Sequence, residues 1–494
     1  MIDLTVAQVA KIVGGRLVDI TPAEAESRRI TGTVEFDSRA VTPGGLFLAL
    51  PGARSDGHDF AEGAVRDGAV AVLAARPVGV PAIVVPPATA VDAQSGVLEH
   101  DTDGAGAAVL AALAKLARAV AAELAAGGLT IVGVTGSSGK TSTKDLIAAV
   151  LRPLGEVVAP PGSFNNELGL PWTVLRATRD TDYLVLEMSA RHPGNIAALA
   201  AIAAPSIAVV LNVGTAHLGE FGSREAIAAT KSELVQAVTP TGVAVLNVDD
   251  PAVAAMAAKT SARVVRVGRS EQADIRALDV DLDELARPHF TLRTSEGDVE
   301  VQLAVHGEHQ VSNALCAAAV AIECGASSEQ VSASLRGATA SSRRRMEVHT
   351  RADGVTVIND AYNANPDSMR AGLQALAVMA RRCGQRSWAV LGEMGELGEE
   401  SVIEHDRVGR LAVRLDISRL VVVGTGRPMS AMHHGAVMEG SWGSESTLVP
   451  DAEAALDLLR SELRAGDVVL VKASNAVGLG ELADRLVEAG EERR

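Results

Sequence analysis

At 494 residues the chain is too long for one hydrophobic core, and the usual domain size of about 150 residues divides it into roughly three units. Hydrophobic residues make up 47% but aromatic residues only 2%, which leaves few rings for the base stacking that single-strand nucleic-acid binders favour. A net charge of -16 argues against a nucleic-acid backbone or an anionic membrane as the main partner, and leaves open small anions held in a local pocket.

The opening MIDLTVAQVAKIVGG has no basic segment ahead of a long apolar core, so no signal peptide is expected. A first unit is expected over residues 1–87, where the prolines of RPVGVPAIVVPP leave regular structure, followed by a small, polar linker over 88–104. The alanine-rich stretch that follows carries Lys115, Arg118 and Glu123, which a bilayer would bury at high cost, so it predicts a soluble helix. From Leu129 onward, β-branched runs alternate with helical segments: LTIVGV, YLVLE at 183, SIAVVLNV at 206 and GVAVLNV at 242. That alternation predicts a parallel sheet covered on both faces. Residues 286–305 instead alternate apolar and polar around Glu296-Gly297-Asp298, a hairpin pattern, and a central unit is expected over 105–340. The basic turn SSRRRMEV begins a C-terminal unit over 341–494, in which GVTVIND, SWAVLGEM, RLVVVG and DVVLVKAS again alternate with helices. The expected class is α/β with three domains. Cys316, Cys324 and Cys383 are odd in number and form no CxxC pair, which suits a reducing compartment and a cytoplasmic location.

The segment VGVTGSSGKTS joins an apolar strand to a helix. Its glycines let successive backbone N–H groups point at a polyphosphate, the helix N-terminus adds positive potential, Lys140 reaches outer phosphates, and the Thr141 hydroxyl can hold Mg2+. The full motif wants glycine where Val134 stands, so the fit is a variant, and an incidental glycine-serine turn is the alternative. The candidate ATP-binding residues here are Thr135, Gly136, Ser137, Ser138, Gly139, Lys140 and Thr141. Glu187 closes the YLVLE run, at the strand edge where ligands collect in parallel sheets; it is either a magnesium ligand or a solvent-exposed strand end. His217 follows the next strand and approaches the same edge, as a metal contact or a plain loop residue. In the helix after it, Ile227, Leu234, Val235 and Val238 form an apolar stripe that contains Lys231. A lysine there must snorkel, pair or be modified. In VINDAYNANPDSM the Asn, Asp and Pro residues end a strand, and Asp367 or Ser368 is expected to cap the next helix.

The TGSSGKT unit, SFNNELGLP, EMSAR, NVGTAHLGEFGS, ATKSE and INDAYNANP occur together in one chain, which thereby resembles the Mur ligase family, the ATP-dependent amide-forming enzymes of peptidoglycan synthesis. DSRAVTPGGLFLALPGARSDGHDF is similar to the family's UDP-sugar-binding N-terminal domain. The resemblance implies an N-terminal UDP-substrate domain, a central P-loop ATPase domain and a C-terminal Rossmann-like domain. It also implies roles, residue by residue. Lys140 and Thr141 serve the ATP phosphates and magnesium, Glu187 and His217 contact metal, and Lys231 matches a lysine that CO2 converts to a carbamate helping to hold a second Mg2+. Lys140, Lys231 and His217 form the implied catalytic set. Asn313 matches an adenine-side position, Arg345 an arginine that reaches the phosphates, and Asp360 the acid that binds the ATP ribose. Asn165 and Asn166 fall near the sugar-nucleotide phosphates, and Ser38 and Arg39 near the UDP-linked substrate.

The word INDAYNANPDSM narrows the resemblance to the step joining D-alanyl-D-alanine to UDP-N-acetylmuramoyl-tripeptide through an acyl phosphate. Another ligase of the family, a folylpolyglutamate-type ligase, or a P-loop ATPase switch are the alternatives. Small-molecule substrates, no nucleic acid, no membrane insertion and a monomer are expected. Ser189, Ser232 and VKASNAVGL depart from the family pattern, so no residue is assigned to the dipeptide.

Overall fold

The structure is a computed structural model that describes residues 1–52, 55–87, 100–215, 218–440 and 445–488. Most of the expected linker, residues 88–99, lies outside the described residues.

Three larger sheets organise the described residues, and their strands are counted among those residues. The first runs Arg16–Val18, Ala82–Val84, Ala69–Ala74, Gly45–Leu48, Val34–Glu35, parallel except at the Arg16–Val18 edge. The central sheet has nine strands, and the strands Val157–Val158, Tyr183–Glu187, Thr130–Thr135, Ile207–Val210, Val243–Asn247, Arg263–Gly268 and Ile275–Leu282 lie parallel in that order. Its far edge is the antiparallel pair Pro288–Thr294 and Gly297–Gln302, the hairpin read from the alternating pattern. The third sheet has six strands, and Glu347–Thr350 pairs antiparallel with Thr356–Asn359. Val468–Lys472, Ser387–Leu391, Arg419–Val423 and Ser446–Val449 follow in parallel.

These parallel strands read as unbroken apolar runs because helices cover both faces and leave no wet side to demand polar alternation. Leu184, Val185, Ala208, Val209, Ala244 and Val245 are all fully buried in consecutive pairs. In the third sheet, Leu391 and Leu470 belong to one core and Val390 and Val469 to another on the opposite face.

The helix Ala105–Ala126 is long and apolar enough to cross a membrane by length and composition, yet protein covers it. One cluster joins its Leu113, Leu116 and Val120 to Leu46, Leu73 and Ile83 of the first sheet and to Leu184, Leu186 and Leu246 of the central one. The helix is therefore a wall shared by two sheets. Lys115, which argued against a membrane span, donates to the Val13 carbonyl at 3.4 Å.

Helix Pro366–Cys383 is capped by Asn365, whose side chain accepts from the Ser368 amide at 2.9 Å while the Ser368 hydroxyl accepts from the Asn365 amide at 3.0 Å. The cap expected at Asp367 or Ser368 falls earlier because Pro366, with no N–H to satisfy and a helix-ready φ, suits the first helical position. Asp367 is thereby released for a contact described below.

Leu116→Ala is predicted to lower the unfolding free energy by about 2–5 kcal/mol in a urea titration, the usual cost of a cavity in a packed core. It should also speed hydrogen exchange in Ala69–Ala74 and Tyr183–Glu187 alike. Loss of protection in one sheet alone would show that the helix supports only that unit.

Candidate active site

The phosphate loop is held from below. Thr135, fully buried at the end of its strand, donates to the Met188 carbonyl at 2.9 Å, and a Cβ at Gly136 would lie 2.9 Å from that of Leu211. Both residues support the loop without lining the cavity above it. The Ser137 and Ser138 amides donate to Asn212 Oδ1 at 2.9 and 3.0 Å, so Asn212 splints the turn. Gly139 has φ +80°, a left-handed conformation that favours glycine, and a Cβ there would meet Asn313 Oδ1 at 2.7 Å. Asn313 in turn donates to Gln310 Oε1 at 2.8 Å. Lys140 and Thr141 open the helix Lys140–Leu151, with the Lys140 ammonium on the Gly136 carbonyl at 2.9 Å. Burial lowers the Lys140 pKa; Glu187 opposes that shift and the Arg345 charge adds to it.

Strand Tyr183–Glu187 is registered so that Glu187 lies beside Val134, which brings its carboxylate to the loop. At 1% exposure it is no solvent-facing strand end. Its Oε2 accepts from the Thr141 hydroxyl at 2.9 Å, and its Oε1 from Ser163 at 2.9 Å and Asn165 at 2.6 Å. Ser189 donates to Asn165 Oδ1 at 3.0 Å, and Asn166 Oδ1 accepts from the Gly169 amide at 2.9 Å.

Lys231 sits on helix Arg224–Gln236 at 5% exposure, which excludes snorkelling into solvent. Among the described residues it has no carboxylate partner, and burial, then the charge of Lys140, hold its pKa well below the ordinary lysine value. It does not line the cavity. His217 lies outside the described residues.

The opposite wall comes from the third sheet. Asp360 follows the strand Thr356–Asn359, accepting from the Met346 amide at 3.1 Å and from the Lys472 ammonium at 2.6 Å. Burial lowers the Lys472 pKa, and Asp360 opposes it. The Arg345 guanidinium stacks on Tyr362 at 4.3 Å from the ring centre and reaches the Thr141 hydroxyl at 3.4 Å. Asp367, freed from capping, accepts from the Thr215 amide at 3.2 Å, and Arg191 pairs with Glu396 at 2.9 Å. His309 faces the same space; burial pulls its pKa to about 4, so its ring is neutral, and Nδ1 has no hydrogen-bond partner.

The two walls enclose a cavity of about 1230 Å³ that brings together Ser137, Ser138, Gly139, Lys140, Thr141, Glu187, Asn165, Asn166, Asn313, Arg345 and Asp360. Ser38 and Arg39 do not line it. They sit on the short turn Ser38–Ala40, where Arg39 is exposed and its bond to Asp37 brings that carboxyl to about 2. Sequence reasoning missed Asn212, His309 and Lys472. Lys472 alone left a readable signal, a charge at the end of the apolar run VVLV, as Glu187 is at the end of YLVL.

A hydroxyl and a carboxylate in contact, Thr141 and Glu187, suit a Mg2+ that takes one or two protein ligands and completes its octahedron with phosphate and water. Among the described residues no group of three or more His, Cys, Asp and Glu is placed to hold a metal ion.

Known proteins are similar to this chain in sequence and fold. Family models match for the Mur ligase family, catalytic domain, at residues 31–121, the Mur ligase middle domain at 134–321 and the Mur ligase, glutamate ligase domain at 344–475. The chain belongs to the Mur ligase family. Within it, the chain is 72% identical to UDP-N-acetylmuramoyl-tripeptide--D-alanyl-D-alanine ligase of Mycobacterium tuberculosis (strain ATCC 25618 / H37Rv), over 99% of this chain and 98% of the relative. The same-named protein of Escherichia coli (strain K12) is 33% identical over 99% and 100%. Among solved structures, MurF from Acinetobacter baumannii superposes with a TM-score of 0.81 at 31% identity, covering 98% of this chain and 99% of its own. MurF ligase from Thermotoga maritima in complex with ADP gives 0.76 at 30% identity, covering 94% and 99%.

The depressed Lys231 pKa carries a sign. Between the lowered folded value and the ordinary 10.5, the unfolded chain holds a proton that the folded chain lacks, so stability rises with pH across that window. In bicarbonate-free buffer, Lys231→Met is predicted to be more stable than the parent at neutral pH and to lose this rise. Denaturant titrations across pH test it; identical pH slopes in both proteins would refute the burial of an unmodified amine.

Proposed function

We propose that the chain uses ATP to join D-alanyl-D-alanine to UDP-N-acetylmuramoyl-tripeptide, giving the pentapeptide, ADP and phosphate. The observation that carries this reading is the single cavity in which a phosphate loop faces Arg345, Asp360 and Lys472 of another sheet. The relatives at 72% and 33% identity bear the name of that reaction.

A carboxylate resists attack by an amine because its oxygen is a poor leaving group. Transfer of the γ-phosphoryl group to the tripeptide's terminal carboxylate gives an acyl phosphate. The amine lone pair of D-alanyl-D-alanine then forms the C–N bond through a tetrahedral intermediate, the C–O bond breaks and phosphate leaves. No nucleophilic side chain is required, so the protein contributes position and charge.

In this reading Ser137, Ser138, Gly139, Lys140 and Arg345 hold the phosphates, Asn313 the adenine and Asp360 the ribose, with Thr135 and Gly136 supporting the loop. Thr141 and Glu187 would hold a Mg2+, which neutralises charge on the phosphates. Carbamylation would convert Lys231 from an uncompensated buried amine into an anion able, with His217, to hold a second Mg2+. Asn165 and Asn166 serve the sugar-nucleotide phosphates, and Ser38 and Arg39 the UDP end. The divisions 1–87, 88–104, 105–340 and 341–494, a cytoplasmic monomer, and the absence of nucleic-acid and membrane partners complete the reading.

Mass spectrometry of a reaction with ATP, UDP-tripeptide and D-alanyl-D-alanine is predicted to show the pentapeptide, with phosphate release dependent on the dipeptide. Lys140→Ala should lower kcat by at least about a hundredfold, since it removes a charge that acts on the transferring group. ATP turnover that ignores the dipeptide and leaves no new peptide bond would mark an ATPase switch instead.

A further inference from the structure

One turn past Lys140, on the same helix, Lys144 is 1% exposed beside the buried Asp145, at 8%, and neither lines the cavity. All three ammonium protons have acceptors: Asp145 Oδ1 at 2.6 Å, the Pro160 carbonyl at 2.6 Å and the Ser342 hydroxyl at 3.4 Å. Asp145 Oδ2 closes the ring by accepting from the Ser342 amide at 3.1 Å.

Each partner leads to a functional segment. Pro160 begins the loop that carries Ser163 and Asn165 to Glu187. Ser342 begins the turn that crosses to the third sheet, in which Arg344 and Met346 have φ of +60° and +51°, a region that side chains rarely adopt. That turn is held at its far end by the Met346 amide on Asp360, and at its near end by Ser342 on the ion pair. Arg345 lies between the two anchors and reaches Thr141.

A buried ion pair is weak evidence for stability, because apolar residues of similar volume often replace it without loss. What it does supply is direction, through hydrogen bonds that an apolar pair cannot make. We propose that Lys144 and Asp145 are positioning residues: they pin the interdomain turn at Ser342 to the phosphate-loop helix and so set where Arg345 meets the transferring phosphoryl group. The proposal rests on the ligase reading for its kinetic consequence only.

The test compares the parent with Lys144→Met/Asp145→Leu. The double variant is expected to fold with an unchanged or higher Tm and to bind ADP within about twofold of the parent, while kcat falls by about tenfold or more because the arginine is misplaced. Hydrogen exchange over 341–346 should accelerate. Asp145→Asn, which keeps an acceptor for the Ser342 amide, should retain most of the parent's kcat. Unchanged kcat in the double variant, or a loss matched by an equal loss of ADP affinity and Tm, would overturn the proposal. If the double variant does not fold, exchange in the parent decides: slow exchange at Ser342 supports the anchor, and exchange as fast as in an exposed turn refutes it. Exchange and ADP affinity are read without the ligation assay, so a parent that makes no pentapeptide would overturn the ligase reading and not the anchor.

Discussion

Lys231 is buried and Lys140 half-buried, close enough that the Lys140 charge depresses the Lys231 pKa, and the Lys140 cation at the loop calls for an anion. Glu187 opposes the shift at Lys140, while Arg345 adds a further cation on the same side. Lys472 is spoken for by Asp360. A polyphosphate supplies the missing negative charge, and burial in a low dielectric makes that balance strong. The rest of the fold places this charge. Parallel strands end at one edge, so Glu187 arrives beside the loop by register alone, and a helix N-terminus beneath the loop adds its own positive potential.

The second requirement is that two sheets share the ligand. Arg345 on Thr141, Asp367 on the Thr215 amide and the Arg191–Glu396 pair span the gap between the central and third sheets. These contacts are polar, unlike the continuous apolar core that joins the first two sheets through Ala105–Ala126. A boundary held by polar contacts thus lies on the far side of the phosphate loop. It also fits a chemistry in which an acyl phosphate must be kept from water.

What was legible in the sequence was local. The phosphate loop, Glu187 and the Lys231 stripe follow from spacing within one element, and each stands where that spacing put it; Asn313 was placed by resemblance. What was illegible was non-local. Lys472 lies 112 residues from Asp360, and no periodicity links them. Asn212 splints a loop from a different strand. Strands Glu347–Thr350 and Ser446–Val449 escaped notice because short, half-exposed edge strands carry little apolar signal. The 105–126 helix reads as belonging to one unit in sequence, whereas its buried faces serve two. Ser38 and Arg39, placed by resemblance, do not line the cavity.

One nucleotide is expected to join both walls. A crystal structure of the full chain with ADP and Mg2+ tests it most directly. The Gly139–Thr141 amides and Lys140 are expected on the phosphates, with Asp360 on the ribose of the same molecule. A nucleotide held by the central sheet alone, in a closed form with Asp360 and Arg345 remote from it, would contradict the account.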